Sequence, residues 1–187
     1  MQFLSLFRKQ KNPTTPAADA AALVSRAVIA PDKTLFHGLD EEQLQSITKL
    51  LQLTNVAIVM HWLRLLEQGL SDPEKSRARA ILKEFERATV STAPHEEALA
   101  QARELQRLTN QLTRLQEIVK DRKMPPAECT RRTLIWSREW LSPIFSSEDA
   151  LERASQVDGP PLIAHIQNSM ETLAQQVERV VLQGIIA

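Results

Sequence analysis

Tyrosine is missing from this sequence, aromatic residues of every kind reach only 4%, and there is a single cysteine. So few aromatics disfavour a β-sandwich, whose strands draw on β-branched and aromatic side chains, and suit aliphatic packing between helices. One thiol excludes an intramolecular disulfide, and with it the cross-linked framework of small secreted domains. Cys129 therefore reads as a small apolar side chain rather than a nucleophile. Excess charge is also absent: 23 Lys and Arg balance 23 Asp and Glu, which leaves no global attraction to nucleic acid. No apolar run approaches the ~20 residues that span a bilayer. Met1 to Lys11, MQFLSLFRKQK, lacks the apolar core and small-residue cleavage site of a signal peptide. The compartment expected is the cytoplasm.

The absences extend to chemistry. The glycines Gly38, Gly69, Gly159 and Gly184 are isolated, so there is no phosphate-cradling loop, and no Gly-x-Ser-x-Gly elbow occurs. His37, His61, His95 and His165 form neither a pair at i, i+4 nor a Glu-x-x-His repeat, the helical signatures of zinc and di-iron sites. Glu96-Glu97 and Glu148-Asp149 with Glu152 fall at expected helix starts, where capping and the helix dipole account for them. Neighbouring acids on a helix also diverge by about 100°, so they make no catalytic dyad. The chain reads as non-enzymatic, with no cofactor or metal implied. An enzyme or small-ligand binder would instead place a pocket near His61, which interrupts the most apolar stretch.

What is present is helical periodicity. At 187 residues, 43% hydrophobic and 25% charged, the chain is long and apolar enough to bury a core. The fold class expected is all-α, a multi-helix bundle of about seven to eight helices, two of them long and coiled-coil-like. Residues 1–16, ending in NPTTP, read as a leader and linker, and 17–187 as one helical domain with a candidate sub-division at 91–94. The first helix runs from Ala17 to Ile29. Asp40 caps the next, with Gln43 completing a capping box. This helix bends near Asn55 and is apolar around most of its circumference from 55 to 70, which marks it as the central one. Asp72-Pro73 starts a charged helix with a stripe of Ala78, Ile81, Phe85 and Ala88. A helix over Ala127 to Leu141 carries Trp136 and Trp140. Ser146 caps a short one, and Gly159-Pro160-Pro161 separates it from the last. Leu35-Phe36-His37-Gly38-Leu39 with Glu42, Gln43 and Leu44 resembles the helical lead-in of cyclic-nucleotide-binding regulators. That family continues into a β-roll where this chain continues into helix, so no residue role carries over.

Two stripes motivate the functional expectation. Leu105, Leu108, Leu112 and Leu115 step by three and four residues along one helix, and Met170, Leu173 and Val177 along another. Narrow apolar seams of this kind complete their burial against a second helix, of the same chain or another. They point to an adaptor, scaffold, chaperone-like or assembly component with a protein partner or a second copy of itself. Residues 100–140 hold nine basic against five acidic side chains and 148–187 two against six, so the two seam-bearing regions should attract each other. The alternative is a nucleic-acid-associated regulator using Lys120, Arg122, Lys123, Arg131 and Arg132, with Trp136 and Trp140 interleaved as stacking surfaces. In the leader, Phe3, Leu4 and Phe7 ahead of Arg8, Lys9 and Lys11 suggest a docking peptide or a contact with a membrane surface.

Overall fold

The structure is a computed structural model that describes residues 15–28, 36, 39–90 and 95–183. Among these residues there are seven α-helices and no strand: α1 (Pro16–Ala27), α2 (Glu41–Gly69), α3 (Asp72–Val90), α4 (His95–Lys120), α5 (Pro126–Leu141), α6 (Glu148–Val157) and α7 (Gly159–Glu178). A π-helical turn, Arg179–Gln183, closes the described chain. The all-α expectation holds. The leader residues Phe3, Leu4 and Phe7, His37 and the 91–94 boundary lie outside the described residues.

Helix starts follow capping chemistry. Thr15 accepts from the Ala18 N–H at 3.2 Å and Pro16 occupies the first turn of α1. Asp40 accepts from the Gln43 N–H at 2.8 Å while Gln43 accepts from the Asp40 N–H at 3.2 Å, the reciprocal box the sequence announces. Two boundaries differ from expectation. Ser147, not Ser146, caps α6 by accepting from the Ala150 N–H. Pro160 and Pro161 do not separate two helices but sit inside the first turn of α7, where their missing N–H groups forfeit no helical bond. Asp158 thereby ends α6 and begins α7. α2 is an unbroken helix through Asn55, which is itself buried.

α2 is central, with α1, α3, α4 and α7 all packed against it. Its buried face includes Ile47, Leu51, Ile58, Val59 and Leu63, and α3 meets it with Ala78, Ile81, Leu82 and Phe85. Ala88, expected in that stripe, is exposed, and Leu82, not expected there, is buried. One ion pair ties α1, α3 and the π-helical turn together. Arg77 of α3 donates from Nη2 to Asp19 Oδ2 at 2.6 Å and from Nε to the Val180 carbonyl at 3.3 Å, with the Asp19 side chain wholly buried.

Candidate functional site

Most of the two expected contact stripes are enclosed by the chain itself. Leu105, Leu108, Leu112 and Leu115 of α4 are buried, and so are Met170, Leu173 and Val177 of α7. Of the two ways open to these stripes, a helix of the same chain or of another, the first accounts for their burial: α2 and α5 pack against both helices. α4 and α7 are not each other's principal neighbours either. The charge complementarity read between the two regions is realised between α5 and α6, where Arg138 pairs with Glu148 and with Glu152 at 3.2 Å.

The exception lies at one end of the α4 stripe. Between α4 and α7, against Trp62 of α2, runs a half-open groove of about 230 Å³. Leu115, Val119 and Met170 supply apolar walls, Gln116 and Gln167 polar ones, and Lys120 and Glu171 face it from opposite helices. Helical geometry explains both the groove and its floor. Val119 continues the stripe one turn past Leu115 but stands next to the helix end at Lys120, and it is 50% exposed. Trp62 is one residue, about 100°, from the wholly buried Leu63, which carries its indole to the edge of the buried face.

The polar atoms here are incompletely matched. Trp62 Nε1 and His61 Nε2 are buried yet have no hydrogen-bond partner among the described residues. Each such atom costs about 1–3 kcal/mol, so unpaired groups are uncommon inside folded proteins. The two rings meet edge-on with centroids 6.1 Å apart. Burial pushes the His61 imidazole below its ordinary value, against a hydrogen bond to the Gln116 side chain that favours the charged form; the Lys120 and Arg64 charges lower it further. His165, on α7, is lowered by burial alone.

Trp136 and Trp140 contrast with Trp62. Both are buried, Trp136 donating to the Gln111 carbonyl at 2.7 Å and Trp140 to Thr54 Oγ1 at 3.2 Å. Enclosed rings with bonded N–H groups offer no face to a nucleobase, which corrects the stacking expectation. The basic residues divide in two. Lys120, Arg122 and Lys123 are exposed around the α4–α5 loop. Arg131 and Arg132 both grip Glu128, at 2.8 and 2.6 Å, and hold its carboxyl down to about 2. Among the described residues no cluster of three or more His, Cys, Asp or Glu side chains is arranged to hold a metal ion, and no helix is long and apolar enough to cross a membrane.

Sequence reasoning placed a pocket near His61 but overlooked Trp62 and Val119. The available signal was the run of the α4 stripe up to the last residue before its end, beyond which no helix covers it. No protein-family model, no curated protein and no solved structure matches the chain.

Proposed function

We propose that this chain is a helical protein-protein interaction module, an adaptor, scaffold or assembly component of the cytoplasm, that receives an apolar side chain of its partner in the Trp62 groove. The observation carrying this reading is a half-open, apolar groove whose buried indole N–H has no acceptor among the described residues. Size separates a protein side chain from a cofactor. Sites for small organic ligands usually measure about 300–1,000 Å³, whereas this groove, at about 230 Å³, suits one large side chain. Grooves lined by Trp and seated by a single anchor are where interface energy concentrates. We read the helices as a bundle around α2 whose seams close within the chain, so that contact is made at the uncovered end of the α4 stripe. A nucleic-acid reading rests on Lys120, Arg122 and Lys123, since Arg131 and Arg132 share their charge with Glu128. An enzyme or ligand binder built on His61 calls for a larger and more polar pocket than this one.

The test places a photo-crosslinking amino acid at Val119 and, as control, at exposed Lys83 of α3 in the producing cell. A discrete adduct is expected at 119 alone, abolished by Gln167→Arg, which fills the groove, with circular dichroism and Tm unchanged. Equal labelling at both positions, or an adduct indifferent to Gln167→Arg, overturns the reading.

A further inference from the structure

α3 and α4 both pack against α2 yet scarcely meet each other. The space between them holds a half-open cavity of about 480 Å³, lined by none of the residues of the Trp62 groove. Its size falls within the range of about 300–1,000 Å³ usual for sites of small organic ligands. Part of the lining is apolar: Met60 of α2 and Leu105 of α4, both buried, with Ala102 about one turn before Leu105.

Two of the polar lining residues bond within α4. Thr109 Oγ1 donates to the Leu105 carbonyl at 2.8 Å, and Gln106 Nε2 donates to Asn110 Oδ1 at 3.1 Å. The other two, Arg64 of α2 and Glu86 of α3, pair with each other, Arg64 Nη2 donating to Glu86 Oε1 at 3.0 Å. Both side chains are 41% exposed. Arg64 Nε and Nη1 and Glu86 Oε2 have no hydrogen-bond partner among the described residues, so each charged group keeps bonding capacity.

The cavity therefore sets one cation and one anion side by side against apolar walls. A surface ion pair of this kind contributes little by itself. A ligand that parts it gives up little and gains a charge-assisted bond at each pole. Only a carboxylate and an ammonium held close together match both poles; an apolar acid leaves Glu86 unmatched, and an apolar amine leaves Arg64. Met60 lies one turn before Arg64, about 6 Å along the axis at 1.5 Å per residue. That distance sets the length of the apolar arm, the length of a leucine, methionine or phenylalanine side chain.

We infer that this cavity binds a free α-amino acid with a large apolar side chain. Its carboxylate bonds Arg64, its ammonium bonds Glu86, and its side chain lies against Met60 and Leu105. The interaction role proposed above uses the last turns of α4 instead, so neither result decides the other.

Methionine-methyl NMR separates the two sites, because Met60 lines this cavity and Met170 the Trp62 groove. With Met60→Leu and Met170→Leu assigning the signals, L-leucine or L-phenylalanine is expected to shift the Met60 methyl saturably and leave Met170 in place. Isocaproate, which is leucine without the ammonium, and isoamylamine, which is leucine without the carboxylate, are each expected to bind about tenfold or more weakly than L-leucine. Arg64→Gln and Glu86→Gln, both at half-exposed positions, should weaken L-leucine by a similar factor. Ala102→Phe, which fills the cavity from an exposed position, should abolish the shift with circular dichroism unchanged. A Met60 signal that stays in place with both amino acids up to their solubility overturns the inference. Movement of Met170 in its stead overturns it in favour of the Trp62 groove. Equal affinity for isocaproate or isoamylamine, or undiminished binding in both glutamine variants, overturns it by leaving an apolar crevice without charge recognition.

Discussion

Two stretches of the same helix, around Thr54 and around Trp62 of α2, resolve their polar groups in opposite ways. At Thr54 the hydroxyl donates to the Leu50 carbonyl at 2.7 Å and accepts from Trp140 Nε1 at 3.2 Å, in a wholly buried setting. Two turns later, Trp62 Nε1 and His61 Nε2 sit out of contact with solvent and unpaired among the described residues. The difference follows from which elements arrive. α5 delivers an indole long enough to reach Thr54, whereas at Trp62 α4 and α7 flank the helix and leave a gap. Among the described residues three buried side-chain polar atoms lack a partner, Gln111 Oε1, Trp62 Nε1 and His61 Nε2, and that two of the three belong to adjacent residues beside one groove marks that groove as unfinished surface.

The largest effect expected from this comparison is in stability. Trp140→Ala removes a wholly buried ring and should cost about 3–5 kcal/mol. Trp62→Ala should cost about 1 kcal/mol or less, because the ring is partly exposed and its loss also removes an unpaired buried donor. Urea titrations of the two variants, with unchanged m-values, measure the gap. Equal losses would erase the distinction between sealed core and open groove. A smaller effect is expected where α7 begins. A Cβ on Gly159 would stand 2.7 Å from Ser137 Oγ and 3.1 Å from Ser137 Cβ, and that hydroxyl already donates to the Leu134 carbonyl. Gly159→Ala should therefore destabilise by about 1–3 kcal/mol through overpacking, read as a drop in Tm. Adding Ser137→Gly should recover part of it. Because Gly159 belongs to the sealed side, Trp62 emission should stay where it is in both variants.

Helicity, the Asp40–Gln43 capping box and the centrality of α2 were legible because each is written in local sequence: a cap three residues from its partner, or apolar residues at helical spacing. The stripes of α4 and α7 were legible as stripes. What meets them was not, because periodicity says that a face is buried and leaves open which helix buries it. Proline was misread at 160–161 for a related reason, since Pro-Pro is punctuation in a loop and equally a proper first turn. The groove depends on something no local pattern encodes, that α7 passes α4 without covering Val119. Arg131 and Arg132 looked like free cations from spacing alone, yet Glu128, three and four residues before them, sits where a helix pairs all three.

The smallest expected effect is one of pH, and its window separates the buried histidines from the surface carboxylate. Burial lowers the folded-state values of His61 and His165 below the ordinary 6.5, so the unfolded chain binds more protons once the pH falls past that point. Stability should therefore be level above pH 6.5, decline as acid is added below it, and level again beneath the folded-state values. Glu128 works in the same sense, since its folded-state value is also lowered, but in a more acid window. Its carboxyl is depressed from 4.5 to about 2, so whatever it contributes is present above 4.5 and lost only as the pH falls through about 2. Surface ion pairs of that kind add little in any case. Tm measured from pH 7.5 to 5 thus isolates the histidines. His61→Gln should flatten part of the decline, and moderate salt should flatten it further in the parent, because the Lys120 and Arg64 charges add to the His61 shift and are screened. His165→Gln should remove its share without the salt dependence, burial being its sole cause. If neither variant changes the slope, the imidazole beside Trp62 is as well hydrated folded as unfolded, and the contrast between the two stretches of α2 loses its electrostatic half.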